Sequence, residues 1–309
     1  EFLFMFTLIF NQLLKMLFIM LLAYFCYKIG LITQEGNRTL SNLLLMVVNP
    51  CLIITVYQTP YDPALIRGLM ISFAAAAAAH ILGILMAHFL IPAGKNPEYA
   101  IERIAAVYSN CGFIGIPLIN SVLGSDGVFY LTAYMTVFNI LTWTHSLILL
   151  NGSFSFRRLR QGLLSPMMIG VVIAVVLYFA RIQLPSVLLD SMNYIADMNT
   201  PLAMIIAGVS VAQTDLKKIF TKLHIYWTTI LKLILIPFAV LLLLAAFRVE
   251  HDIAYTTLIA AACPTGATLT MMAIQFNKNY QYASEIFAFT TVCSIATIPF
   301  MTFLAGFFF

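Results

Sequence analysis

The chain has 309 residues, 62% of them hydrophobic and 9% charged, with a mean hydropathy of +0.97 and a formal net charge of +4. That composition cannot dress a soluble globular surface, so a polytopic membrane protein is expected. The positive excess lies in connections between apolar stretches and forms no basic face with stacking aromatics, which argues against nucleic acid as a partner.

In chain order, apolar windows of about 20 residues, the length that crosses a bilayer, predict ten spans. They fall at 4–29, 38–58, 65–91, 99–122, 127–150, 164–182, 187–212, 223–247, 253–276 and 283–308. No basic segment precedes the first, so no cleavable signal peptide is expected, and Glu1 in place of Met points to a trimmed start. The odd connections and adjoining span ends carry Lys28, Arg38, Lys95, Arg103, Arg157, Arg158, Arg160, Lys217, Lys218, Lys222 and Lys278, 11 basic residues. The even ones carry Arg67, Arg181 and Arg248, only 3, which puts the odd connections in the cytoplasm and both termini outside. The sequons at Asn37 and Asn151 then face the cytoplasm and carry no weight. Lys15 and Lys232 fall inside spans and are expected to reach an interface along their aliphatic stems.

The longest connection, residues 151–162, divides the chain into five-span halves, 1–150 and 164–309. An odd number of spans makes the second half enter the membrane upside down, as in an inverted repeat. Local features answer one another across the halves: Asn49-Pro50 in span two and Asn199-Thr200-Pro201 in span seven, and two interruptions in spans four and nine. The interruptions are Asn110-Cys-Gly-Phe-Ile-Gly-Ile-Pro117 and Cys263-Pro-Thr-Gly-Ala-Thr-Leu-Thr270. Hydrocarbon cannot satisfy a freed carbonyl or amide, so an interrupted helix at membrane depth needs protein, water or a ligand beside it.

Pro117 has no amide hydrogen and crowds the carbonyl of Phe113, and Pro264 does the same to Ala260. Each span is therefore predicted to divide into two half-helices. Half-helix N-termini attract carboxylates, whereas C-termini and unwound carbonyls suit a cation. The expected substrate site consists of Asn110, Cys111, Gly112, Gly115 and Pro117 on one side and Pro264, Thr265, Gly266 and Thr268 on the other. With no Arg or Lys at mid-membrane in spans four and nine, dipoles, amides and the side chains of Asn110, Thr265 and Thr268 would hold an anion. The competing reading is that Gly and Pro serve kinks and packing alone. Asn49 and Asn199 either touch substrate or accompany kinks at Pro50 and Pro201.

Asp197 lies four residues before Pro201, at the carbonyl that this proline leaves unpaired. It is either a proton carrier in a wet kink or, if the helix starts later, a neighbour of headgroups. Glu285 is expected at the interface beside Lys278. His80, His88 and His145 are isolated on apolar spans, and the five cysteines lie inside apolar runs, so neither a metal site nor a disulfide framework is expected, and no cofactor. Thr290, Ser294 and Thr297 form a stripe suited to helix packing. No Ser/His, Asp/Asp or HExxH arrangement occupies facing spans, so an enzyme is not expected.

Ser109-Asn-Cys-Gly-Phe-Ile-Gly-Ile-Pro-Leu118, Ala262-Cys-Pro-Thr-Gly-Ala267, Asn49-Pro50 and Thr290-Thr-Val-Cys-Ser-Ile-Ala-Thr-Ile-Pro299 together resemble the auxin efflux carrier family, whose plant branch is the PIN-formed proteins. The resemblance runs nearly end to end. It implies an all-α fold of ten helices of the sodium/proton-antiporter and bile-acid-symporter type, with helices four and nine unwound and crossing at mid-membrane. It also implies a scaffold of residues 1–60 and 164–213, an elevator-like transport bundle of 61–150 and 220–309, and a homodimer. The long central cytoplasmic loop of the plant proteins is lacking, which makes the chain look bacterial and leaves auxin open as substrate. The expected function is secondary transport of a small organic anion, a mono- or dicarboxylate, across the cell membrane by alternating access, with a proton or sodium as coupling ion. The alternatives are a sodium- or proton-coupled symporter of the bile-acid branch, and a membrane sensor that binds a metabolite or lipid without moving it.

Overall fold

The structure is a computed structural model that describes residues 2–94, 96–214 and 222–309, with side chains from residue 7 onward. Lys95, Lys217 and Lys218 of the charge count lie outside the described residues. Those residues form helices without strands: α1 (Phe2–Lys28), α2 (Gln34–Val56), α3 (Pro63–Leu90), α4 (Tyr99–Val107), α5 (Cys111–Asn151), α6 (Phe156–Leu163), α7 (Pro166–Phe179), α8 (Ser186–Ala212), α9 (Leu223–Ala246), α10 (His251–Ala262), α11 (Thr268–Gln275) and α12 (Tyr280–Ala305).

Among the described residues, seven of these (α1, α2, α3, α5, α8, α9 and α12) are long and apolar enough to cross a membrane, or eight if the α6–α7 pair, bent by 57°, is one span. The chain is thus a multi-pass membrane protein. The windows at 99–122 and 127–150 meet at Gly124 (φ 65°, ψ −153°), whose non-helical backbone separates two helices that follow one another directly within Cys111–Asn151, and α4 precedes the first. The window at 253–276 divides, as its interruption predicts, into α10 and α11, of 12 and 8 residues, each too short to cross alone.

Proline shapes three of the long helices in a way that the sequence alone misjudges. In α2, α5 and α9 a π-type turn, Leu44–Val48, Cys111–Gly115 or Leu231–Leu235, is centred four residues before Pro50, Pro117 or Pro237. The amides of Asn49, Ile116 and Ile236 bond back to Leu44, Cys111 and Leu231, five residues earlier. The widened turn moves aside the carbonyl that the ring would strike, so the helix continues through the proline. Pro117 therefore does not divide its span as expected. The break lies at Tyr108–Asn110, upstream of it, where Tyr108 is extended (φ −92°, ψ 111°).

Pro264, by contrast, sits inside its break, and Cys263 before it is extended (φ −58°, ψ 148°), as the residue preceding a proline prefers. Pro201 lies in the first turn of Asn199–Ala212, after α8 breaks at Asp197 and Met198. Elsewhere close backbone approach orders the packing: α1 packs on α8, where a Cβ at Gly208 would stand 2.2 Å from the carbonyl oxygen of Met20.

Candidate substrate site

The two breaks meet. Ser109 and Thr265 form an isolated antiparallel bridge, with Asn110 N–H donating to Pro264 O at 2.7 Å and Gly266 N–H to Tyr108 O at 2.9 Å. The close approach favours a small residue at Gly266, where a Cβ would lie 3.3 Å from Ser109 O.

The hydroxyls of the bridging pair act reciprocally. Thr265 Oγ1 donates to Ala105 O at 3.0 Å, near the C-terminus of α4, and Ser109 Oγ to Ala261 O at 3.3 Å, near the C-terminus of α10. Each hydroxyl thus caps the carbonyl four residues before its bridge partner. The carbonyls that a broken helix leaves open are satisfied by the other broken segment, which is what apolar surroundings demand. Thr290 of α12 supports the pair by accepting the Thr265 amide at 3.2 Å. The threonine stripe of α12 therefore reaches the breaks at its first member, beyond the packing role expected of it.

The second half-helices start at Cys111 and Thr268, so the first amides of α5 and α11 point toward the junction with the positive ends of their dipoles. Asn110 is 5% exposed and its Nδ2 has no partner among the described residues. The junction is closed: Ser109, Asn110, Cys111, Thr265 and Lys232 are all buried. Gly112 and Thr268 are half-buried beside it.

Asn49 and Asn199, assigned separately from the sequence, contact each other: Asn199 Nδ2 donates to Asn49 Oδ1 at 2.7 Å, with both residues buried. Asn49 Nδ2 and Asn199 Oδ1 remain without partners among the described residues. Asp197 is exposed at the break in α8. Glu285 is buried and pairs with Lys222 rather than sitting beside Lys278. Each histidine has a local partner, His80 Nδ1 at Ala76 O (2.8 Å), His88 at Arg103 (3.2 Å) and His145 at the Tyr108 hydroxyl (2.9 Å), while His80 Nε2 is buried without a partner among the described residues.

A profile of the family described as "Membrane transport protein" matches residues 8–157 and 153–302, nearly the whole chain. The chain belongs to this family, the auxin efflux carriers. Similar proteins include the uncharacterized transporter YfdV of Escherichia coli K12, 23% identical over 314 residues that cover 96% of this chain and 97% of YfdV. The uncharacterized transporter MJ1031 of Methanocaldococcus jannaschii is 21% identical over 294 residues, 89% of this chain and 92% of MJ1031. As a member of this family the protein stands with membrane transporters, which are generally not enzymes.

Within this carrier the residue that sequence reasoning misplaced is Lys232. It does not reach an interface. Its side chain is fully buried, and Nζ donates to Ser109 Oγ at 2.5 Å and to Ala261 O at 3.2 Å. A third helix thereby joins the two breaks, and it presents a cation at the C-terminus of α10, where the dipole is negative. The titratable groups in its field include the thiols of Cys263 and Cys111 and the imidazole of His80. Among the described residues no carboxylate pairs with it. One signal was available: Lys232 lies nine residues into α9, roughly 14 Å of helix rise from the nearer end, too deep for a lysine stem to escape.

Proposed function

We propose that this carrier is a secondary transporter of a small organic anion, a mono- or dicarboxylate, working by elevator-type alternating access around the junction of its two broken helices. The observation that carries this reading is the buried ammonium of Lys232 at that junction without a carboxylate partner. An uncompensated charge in low dielectric is costly, and an anionic cargo is the partner that removes the cost. The N-terminal ends of α5 and α11 and the unpartnered Asn110 Nδ2 add to the attraction for an anion. Because the ammonium already occupies Ala261 O, a carbonyl that a coupling sodium would use, the arrangement favours this reading over a sodium-driven symporter.

In this reading the fold is a ten-helix inverted repeat with crossing helices, paired as a homodimer in the cell membrane. The reciprocal capping by Ser109 and Thr265 and the Asn49–Asn199 pair support the repeat. Residues 1–60 and 164–213 serve as scaffold and the remainder moves, opening the closed junction to each side in turn. Proton coupling through Asp197 belongs to the same proposal, and Asp197→Asn would abolish accumulation driven by a pH difference while preserving counterflow. A sensor that never moves its ligand is separated from a transporter by counterflow of labelled acid in liposomes.

Two experiments test the reading. In a thermal-shift screen of organic acids, Asn110→Ala is expected to lose at least tenfold in apparent affinity while the protein stays folded, because it removes a buried donor and little packing. Unchanged stabilisation by the acid would sink the placement of the site. For topology, a cysteine introduced beside Arg158 should label from the cytoplasm only and one beside Asp126 from outside only. The reverse pattern would overturn the orientation.

A further inference from the structure

We infer that the site is built for one negative charge: the carrier selects monocarboxylates over dicarboxylates, with Lys232 as the residue that sets this choice. The inference rests on the organic-anion reading above and adds the charge of the cargo to it.

Charge counting carries it. Four charged side chains are buried among the described residues: Glu102, Arg103, Lys232 and Glu285. Three of them are occupied away from the breaks. Glu102 accepts the Tyr282 hydroxyl at 2.5 Å, Glu285 pairs with Lys222, and Arg103 donates to His88 O and Ile91 O, both at 2.9 Å. Lys232 alone among them reaches the junction, and its two bonds to Ser109 and Ala261 leave one of the three ammonium donors for a ligand. Asn110 Nδ2 is a second donor awaiting an acceptor, and it is neutral.

One carboxylate brought to this place makes the junction electrically neutral. A second carboxylate on the same molecule would meet only the partial charges of the half-helix dipoles and no second cation, too little to replace its lost hydration. Side-chain size does not enter this count, so the comparison can be made between molecules of one shape.

The test uses acid–amide pairs at neutral pH: malonate with malonamate, succinate with succinamate, and 2-oxoglutarate with 2-oxoglutaramate. Binding is read by thermal shift on the purified full chain, and exchange by counterflow in liposomes. Expected is stabilisation and exchange by the monoanionic amide acids with at least a tenfold weaker response to the corresponding diacids. Lys232→Met should remain folded, since replacing an unpaired buried charge by an apolar side chain is neutral or stabilising, and should lose at least tenfold in monoanion exchange. Lys232→Arg should keep part of it. Diacids acting as well as their monoamides, or undiminished exchange by a folded Lys232→Met protein, would overturn the one-charge site while leaving organic-anion transport standing. Silence of the wild-type protein toward every acid in the panel would instead overturn the organic-anion reading, and this inference with it.

Discussion

Gly208→Val is expected to leave no folded transporter. A Cβ at this position would stand 2.2 Å from Met20 O and 2.9 Å from Met20 C and Cα, all backbone atoms of α1 that no rotamer change can move. Relief requires α1 and α8 to separate along the contact that holds them together, which places the cost at about 4 kcal/mol or more, in the exceptional range for a single substitution. Size-exclusion profiles of the detergent-extracted variant should show aggregate in place of the wild-type peak. Gly83→Ala is the control, since its added carbon meets Ile236 Cγ2 at an ordinary 3.6 Å. A monodisperse Gly208→Val protein with wild-type melting would mean that the two helices are not in the contact described.

Thr265→Val should cost about 1–3 kcal/mol of stability, the range for leaving a buried carbonyl unsatisfied, and should reduce transport far more than that loss implies. The valine keeps the shape of threonine and removes the hydroxyl that holds Ala105 O, so α4 loses its cap from the opposite break. The Ser109–Thr265 bridge then lacks one of its two side-chain ties, and the amides that face the cargo lose their fixed aim. Thr265→Ser retains the hydroxyl and is expected to transport near the wild-type rate. Counterflow and melting temperature measured on both variants decide the matter. Equal transport by Thr265→Val and Thr265→Ser would show that the reciprocal capping has no part in function.

The breaks were legible in the sequence because polar and small residues inside apolar stretches are costly unless something satisfies them. That alone located Asn110, Thr265 and Gly266, residues that the structure brings together. Their partners were not legible, since hydrogen bonds between residues 160 positions apart, as from Thr265 to Ala105, leave no local pattern. Pro117 misled for a related reason: proline forbids one hydrogen bond and one carbonyl position, and a π-type turn evades both without ending the helix. Lys232 was hidden by chemistry common to all lysines. The same side chain in an apolar helix suits an interface or a buried site, and the choice depends on whether another helix offers oxygens at the right depth, here Ser109 and Ala261. The signal of polar and small residues also marked Gly124, where Gly-Ser-Asp-Gly interrupts the apolar run and the backbone leaves the helical path, and Cys263–Ala267, between α10 and α11.

The π-type turn at Leu231–Leu235 also sets an angular phase. Each residue of an α-helix advances the side-chain direction by about 100°, so the extra residue in the turn puts Ile236–Ala246 out of step with Leu223–Ile230 by about that angle. Ile236 faces Gly83 of α3 only because of this offset, its methyl lying 3.6 Å from where a Cβ would stand. Removing one residue from the turn, even together with Pro237, would restore a regular helix and swing one half of α9 off its neighbours. Pro237 and the additional residue therefore behave as one unit of sequence, and the lengths of α2, α5 and α9 cannot drift by single residues at these points without turning one end of the helix to a different partner.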